Sequence, residues 1–236
     1  MRRSPLLSLV AAGILSEALY LAVTLRLPWW NHAEGLQSWS GLLGRGHGAL
    51  VACLGGLALL MLAYGWGWRA VRRGGVPRRI IWAFGGLYAV TLFWLLPITA
   101  DLFVYLGRAH LFTDLGGNPL EDTLLGRRDA LLAAYPTVYA HYSSAYGPAW
   151  SLISAPGTLG QDEVGAGIAY LKGLSVAACA VATWLLERIL RRVRPADALQ
   201  GLYLFAWNPL VLFLGVGDGH NDLLMMAAVL LAFWLI

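Results

Sequence analysis

Apolar residues come in long unbroken runs along this chain, and polar residues collect between them. Four runs approach or exceed the roughly 20 residues needed to cross a hydrocarbon core: Leu6 to Leu25, Gly48 to Trp68, Ile80 to Ile98 and Val164 to Leu186. Leu199 to Val216 makes a slightly short fifth, and a sixth run that starts at Leu223 is still apolar at Ile236. The pattern predicts an all-α fold, a polytopic transmembrane helical bundle of about six spans. Since the last run meets no charged stop, residues 1–236 are expected to form one membrane domain that is the N-terminal part of a longer protein.

Shorter segments lie between these runs. GPAWSLISAPGTLG, residues 147 to 160, is too short to span and contains two prolines, so it predicts an interfacial or re-entrant helix with Pro148 in its first turn. The connection covering residues 99–163 is expected to be a large loop carrying interfacial helices, one over ADLFVYLGRAHLF and one around DALLAAYPTVYAHY. GGNP at residues 116 to 119 reads as a turn.

Composition supports the membrane reading. Apolar residues make up 58% and charged residues 13%, against about a quarter charged in soluble domains. Eleven tryptophans and ten tyrosines suit the boundary between hydrocarbon and headgroups. The lipid bilayer is therefore the first partner, and the net charge of +4 gives no reason to expect nucleic acid. Cys53 and Cys179 each sit alone in an apolar run, which excludes a disulfide framework or a zinc site built on CxxC pairs. The N-terminus starts basic, but its apolar stretch is too long for a signal peptide and no small-residue cleavage site closes it, so it reads as an uncleaved first span.

Arginine placement gives the orientation. Arg2 and Arg3 precede the first run, Arg69, Arg72, Arg73, Arg78 and Arg79 separate the second from the third, and Arg188, Arg191, Arg192 and Arg194 follow the fourth. If these runs alternate across the bilayer, all three clusters share one side, and the excess of basic residues assigns it to the cytoplasm. The chain is then expected in the cell membrane with its N-terminus cytoplasmic. Ten of the thirteen acidic residues fall on the opposite, extracytoplasmic face.

Candidate chemistry lies on that face. On a helix that starts near Asp101, the residues Asp101, Tyr105, Arg108 and Phe112 share one side, which would line a groove with a carboxylate, a phenol and a guanidinium. Asp101 also suits a helix cap, and the two roles are compatible. In GDGHND, residues 217 to 222, Gly217 and Gly219 permit a tight turn, and Asn221 and Asp222 suit a helix start. Capping accounts for neither His220 nor Asp218. Lys172 lies inside the fourth run, where it needs a partner or must snorkel to the surface. Glu17, in the first run, raises the same demand. Tyr135, Tyr139, Tyr142 and Tyr146 recur at steps of four, three and four, a one-sided stripe suited to an interfacial belt or to stacking on a sugar.

Taken in order, TADLFVYLGRAHLF, GGNPLEDT, SAYGPAW and WNPLVLFLGVGDGHNDLLMMAAVLLA resemble the polyprenyl-phosphomannose-dependent mannosyltransferases of the GT-C superfamily, including the actinobacterial α-1,6-mannosyltransferases and the family 87 enzymes. The resemblance implies an inverting hexosyltransferase. It would move a hexose, mannose by that likeness, from a polyprenyl-phosphate sugar donor to a glycan or glycolipid acceptor. It also implies that Asp101 is the general base and that Gly219, His220, Asn221 and Asp222 match a family segment. Asp101 has no neighbouring second aspartate, so no cofactor is certain and a divalent cation stays open. Within this reading, Arg108 and Lys172 would hold the departing phosphate, His220 and Asp222 would orient the acceptor or assist Asp101, Asn221 would join them at the substrate, and Tyr105 would position it. The competing classes are a membrane transporter and a non-catalytic lipid-binding subunit of envelope assembly.

Overall fold

The computed structural model describes residues 4–31, 47–126, 139–159 and 164–236. Among these, the chain is helical: α1 (Pro5–Arg26), α2 (His47–Arg72), α3 (Arg78–Phe93), α4 (Asp101–Thr113), α5 (Pro148–Ser154), α6 (Val164–Val193), α7 (Ala198–Ala206), a π-helical segment (Val211–Gly217) and α8 (Asp222–Leu235). Three helices are long and apolar enough to cross a membrane, namely α1, α2 and α6, and a fourth span is counted if α7 and the π segment, bent by 55°, are taken together. At 16 and 14 residues, α3 and α8 are about 24 Å and 21 Å long. Both are shorter than a hydrocarbon core of roughly 30 Å. All six expected runs thus contain helix, while length and composition qualify three or four of them as spans.

The starts and stops follow local chemistry. Ser4 caps α1 by accepting the Leu7 amide at 3.1 Å, with Pro5 in the first turn, where its missing N–H costs nothing. The third run was expected to stay helical to Ile98, but α3 ends at Phe93. Pro97 is the reason: it lacks the N–H that would bond the Phe93 carbonyl, and its ring crowds that position. The Trp29 indole donates to the Phe93 carbonyl instead, at 3.0 Å. Backbone bonds from Leu96 to the Leu27 carbonyl (2.8 Å) and from Trp29 to the Trp94 carbonyl (3.0 Å) then lash the two chain segments together. The fifth run breaks at Pro209 in the same manner. Asn208 bridges the break by accepting the Leu210 amide on its side chain at 3.0 Å and the Leu212 amide on its backbone at 3.0 Å.

The centre of the molecule is α6, which packs against α3, α4, α7, the π segment and α8. It runs antiparallel to α3. Near its start, Lys172 reaches the Leu95 carbonyl just beyond the end of α3, and near its end Glu187 pairs with Arg78 in the first turn of α3. Fifteen residues separate Lys172 from Glu187, about 22 Å along a helix. The pairing of Glu187 with Arg78 also brings the second and third arginine clusters to one end of the bundle, while Arg2 and Arg3 lie outside the described residues.

The connecting segment departs from expectation in two ways. ADLFVYLGRAHLF does form α4, but Leu102 to Leu111 are buried on every side, which an interface-lying amphipathic helix would not be. Most of the second expected helix, including Tyr135, falls outside the described residues, and residues 139–146 form turns rather than a helix. The tyrosine stripe therefore has no helical face in this segment: Tyr139 and Tyr142 are exposed, and Tyr146 alone of these packs inward, edge-on to Tyr105. The segment from 147 to 160 does contain a short helix, as its prolines predict. Pro148 opens α5, and a 3-10 turn continues to Gly157. A Cβ on Gly167 of α6 would meet the Gly157 carbonyl at 2.8 Å, so this close approach requires glycine.

Candidate active site

Two turns meet at the Lys172 end of α6. The first, residues 94–100, leads from α3 into α4 and delivers Thr99 and Asp101. The second, residues 217–221, leads from the π segment into α8 and delivers Asp218, His220, Asn221 and Asp222. Neither turn could hold its shape alone, because each exposes backbone groups that no helix satisfies.

Lys172 and Asp218 join the turns. Lys172 has no exposed surface, and its ammonium donates to the Leu95 carbonyl at 2.6 Å and to the Gly217 carbonyl, one from each turn. Asp218, equally buried, accepts the amides of Ile98 and Thr99 on Oδ1. Snorkelling is therefore excluded for Lys172. The expectation that it holds a phosphate is also corrected, since the ammonium is enclosed and bonded to backbone. Burial pushes the Asp218 carboxyl above the ordinary carboxylate range, against the opposing pull of the two amides, His220 and Lys172. Its second oxygen has no hydrogen-bond partner among the described residues and lies 3.7 Å from His220 Nε2. Gly219 makes the turn possible: its φ is +72°, and a Cβ there would lie 2.5 Å from Leu102 Cδ1.

His220 stands among three carboxylates. Its Nε2 is 3.4 Å from Asp101 Oδ2 and 3.3 Å from Thr99 Oγ1, and its Nδ1 is 3.4 Å from Asp222 Oδ2. Thr99 also donates to Asp101 Oδ2 at 3.1 Å. Asp101 is the first helical residue of α4, and among the described residues its carboxylate takes no backbone amide, so capping does not explain it. Side-chain exposure is 29% at Asp101, 21% at His220 and 66% at Asp222, so the array is most open at Asp222. No set of three His, Cys, Asp or Glu side chains among the described residues is grouped to hold a metal ion.

Further along α4, Tyr105 hydroxyl lies 3.1 Å from that of Tyr146 and donates to Asn221 Oδ1 at 3.3 Å. The Asn221 side chain is thus engaged across the site rather than capping α8, which has no side-chain cap bond. Burial raises the Tyr105 phenol, which stays a hydrogen-bond donor. Arg108, one turn on, is buried and donates to the Tyr142 and Ser143 carbonyls at 3.5 Å and 3.1 Å. It has no carboxylate partner among the described residues, and burial lowers the pKa of its guanidinium from the ordinary arginine value. With Tyr105, Ser144, Tyr146 and Trp150 it lines a small pocket, where the Trp150 indole N–H is also buried without a partner among the described residues. Phe112, expected on the same face, is exposed.

The two turns thus bring together Asp101, His220 and Asp222, with Tyr105 and Asn221 adjoining; Arg108 lies beyond Tyr105, and Lys172 sits beneath as a clamp. The sequence reading singled out Asp218 without giving it a role, placed Tyr146 only in the tyrosine stripe, and passed over Thr99 and Trp150. Thr99, Tyr146 and Trp150 nevertheless lie inside TADLFVYLGRAHLF and SAYGPAW, so the motifs carried a signal that single-residue reasoning did not extract.

The chain is 26% identical over 218 residues to alpha-(1->6)-mannopyranosyltransferase A of Mycobacterium tuberculosis, covering 92% of this chain and 40% of that protein. It is 27% identical over 149 residues to alpha-(1->6)-mannopyranosyltransferase B of Corynebacterium glutamicum, covering 58% of this chain and 24% of that protein. The chain therefore spans less than half the length of these curated relatives. No solved structure matches it. Residues 8–236 match the family model described as alpha-(1->6)-mannopyranosyltransferase, N-terminal domain, and the chain belongs to that family.

Proposed function

We propose that the protein containing this chain is an integral membrane glycosyltransferase that moves mannose from a polyprenyl-phosphate donor to a hydroxyl of a glycan or glycolipid acceptor at the extracytoplasmic face. Family membership supports the transferase class. The observation that carries the mechanism is the array of Asp101, His220 and Asp222 at one end of the bundle.

Asp101 accepts the proton of the acceptor hydroxyl as that oxygen attacks the anomeric carbon. The new C–O bond forms as the bond from the anomeric carbon to the phosphate oxygen breaks, and the electron pair leaves with the polyprenyl phosphate. Attack opposite the leaving group inverts the anomeric centre, so an α product requires a β-linked donor. His220 takes the proton from Asp101 at Nε2 and releases one from Nδ1 toward Asp222, which faces solvent. Arg108, a buried cation with no acid partner among the described residues, receives the negative charge growing on the phosphate; seven residues from Asp101, it lies about 10 Å along the same helix. Tyr105 and Asn221, hydrogen-bonded to each other, form one wall against which the sugar is positioned. A tail dissolved in the bilayer sets the anomeric carbon near the membrane surface, which is why the base belongs at a helix end and not at mid-membrane.

The test uses the full-length protein in membranes, supplied with labelled polyprenyl-phosphate mannose. Asp101→Asn is expected to slow transfer by about 10²- to 10⁴-fold, the range for a positioned general base. Unchanged transfer by a normally expressed variant would remove Asp101 from the chemistry and the proposed mechanism with it.

A further inference from the structure

A second polar cluster lies at the other end of α6, about 22 Å from Lys172 along the helix. Between the first turns of α3 and the last third of α6 is a cavity of about 550 Å³. Its organising residue is Glu187, which is buried yet fully bonded. It accepts the Trp82 indole N–H at 2.9 Å and pairs with Arg191 at 2.7 Å and Arg78 at 3.4 Å. Arg79 and Arg188 complete the basic lining and have no acid partner among the described residues. Four guanidiniums against one carboxylate leave three positive charges in excess.

Three features shape this excess into a site. The Arg188 guanidinium rests 5.3 Å over the Trp184 ring, which holds the cation at the cavity rim. Pro77 gives α3 no side-chain cap, so the amides of its first turn add partial positive charge beside Arg78 and Arg79. From the cavity, exposed stripes run up both helices: Ala83, Leu87 and Val90 on α3, and Trp184 and Val181 on α6. The spacings of four, three and three residues put each stripe on one helix face.

We propose that this cavity binds the phosphate-bearing headgroup of an anionic phospholipid, with the acyl chains lying along the two apolar stripes. The charge selects a phosphate, and the stripes select a lipid over free phosphate, because an inorganic ion would leave them uncovered. The site is distinct from the donor site at the opposite end of α6, and it does not depend on the proposed catalysis. A basic pocket between membrane helices beside an apolar track is the arrangement that retains anionic lipid headgroups.

Native mass spectrometry of the full-length protein, purified from nanodiscs, counts the lipid retained in three arms: phosphatidylglycerol, phosphatidylcholine, and phosphatidylglycerol with inorganic phosphate as competitor. The expected result is preferential retention of phosphatidylglycerol that millimolar phosphate does not displace. The doubly substituted Arg79→Gln, Arg188→Gln protein should retain about a tenth or less as much phosphatidylglycerol, given the contribution of each cation near a membrane surface. Arg79→Lys with Arg188→Lys should restore most of it. Equal retention of the two lipids, unchanged retention by the glutamine variant, or displacement by phosphate would each overturn the proposal. The last outcome would assign the cavity to a free anion. Because the readout is bound lipid, its failure is separable from any failure of Asp101-dependent transfer.

Discussion

The two ends of α6 solve one problem in opposite ways. Each buries a charged side chain in a helix that crosses or approaches the bilayer, Lys172 at one end and Glu187 at the other. Glu187 is neutralised by two arginines whose side chains are 58% and 47% exposed, so its partners remain hydrated and replaceable. Lys172 is met by two backbone carbonyls and a nearby buried carboxylate, with no water-exposed partner among the described residues. The first arrangement leaves cations open to a ligand. The second is closed, and it fixes backbone. The contrast suggests that charge near a membrane edge serves recognition where its partners are solvated and precision where they are enclosed.

The sharpest way to break this contrast is Lys172→Met. The substitution keeps the volume but leaves the Leu95 and Gly217 carbonyls unbonded and removes the buried cation whose field acts on Asp218, a loss of about 3 to 5 kcal/mol by analogy with broken buried pairs. Thermal unfolding of the full-length protein should show it as a large fall in Tm, and the proposed sugar transfer should fall with it. A loss no larger than that for a surface lysine would mean that the clamp is decorative.

Asp218 gives the next effect. Asp218→Ala strands the Ile98 and Thr99 amides and should cost about 1 to 3 kcal/mol, whereas Asp218→Asn keeps an acceptor oxygen for both and should cost less. The variants also differ in pH dependence. Since burial raises the Asp218 carboxyl, the native state holds its proton to higher pH than the unfolded chain does. Its contribution to stability is then greatest below the unfolded value of about 3.9 and declines as pH rises toward the raised native value. Unfolding curves across that window should show a decline in the parent protein that is absent from Asp218→Asn.

Glu187→Gln sits at the mild end. The neutral side chain still accepts from the Trp82 indole, and the exposed arginines rehydrate, so the expected cost is about 1 kcal/mol or less. In the phosphatidylglycerol assay the same variant should bind lipid at least as well as the parent, because one opposing negative charge is gone. Weaker binding would mean that Glu187 positions the arginines more than it offsets them.

Much of this architecture was legible in the sequence. Long apolar runs located α1, α2, α3, α6, α7 and α8, and Pro148 marked the start of α5. Pro97 and Pro209 explain where two runs fail as continuous helices, although hydropathy alone carried both runs through those prolines. Asp101, Tyr105, Arg108 and the GHND segment stood out because polar groups crowd there beyond the needs of capping. The tyrosine stripe misled, because recurrence at helical spacing has meaning only on a helix, and residues 139–146 are turns. Asn221 misled in a different way: it stands at a cap position, but Tyr105 offered its side chain a partner 116 residues away.

Periodicity and proline placement, which act through neighbours in the chain, determined that this is a helical membrane protein and where its helices start and stop. Hydrophobic patterning also told which charged residues would need partners. Which partners they found depended on contacts between residues far apart in the chain. Lys172 is satisfied by carbonyls from two different turns, His220 sits between Asp101 and Asp222, and Glu187 gathers arginines from two helices. Hydrogen bonds and ion pairs act over a few ångströms of space whatever the distance along the chain, so only the packing of α3, α4, α6 and the π segment could decide which cation is enclosed as a clamp and which is left open to bind.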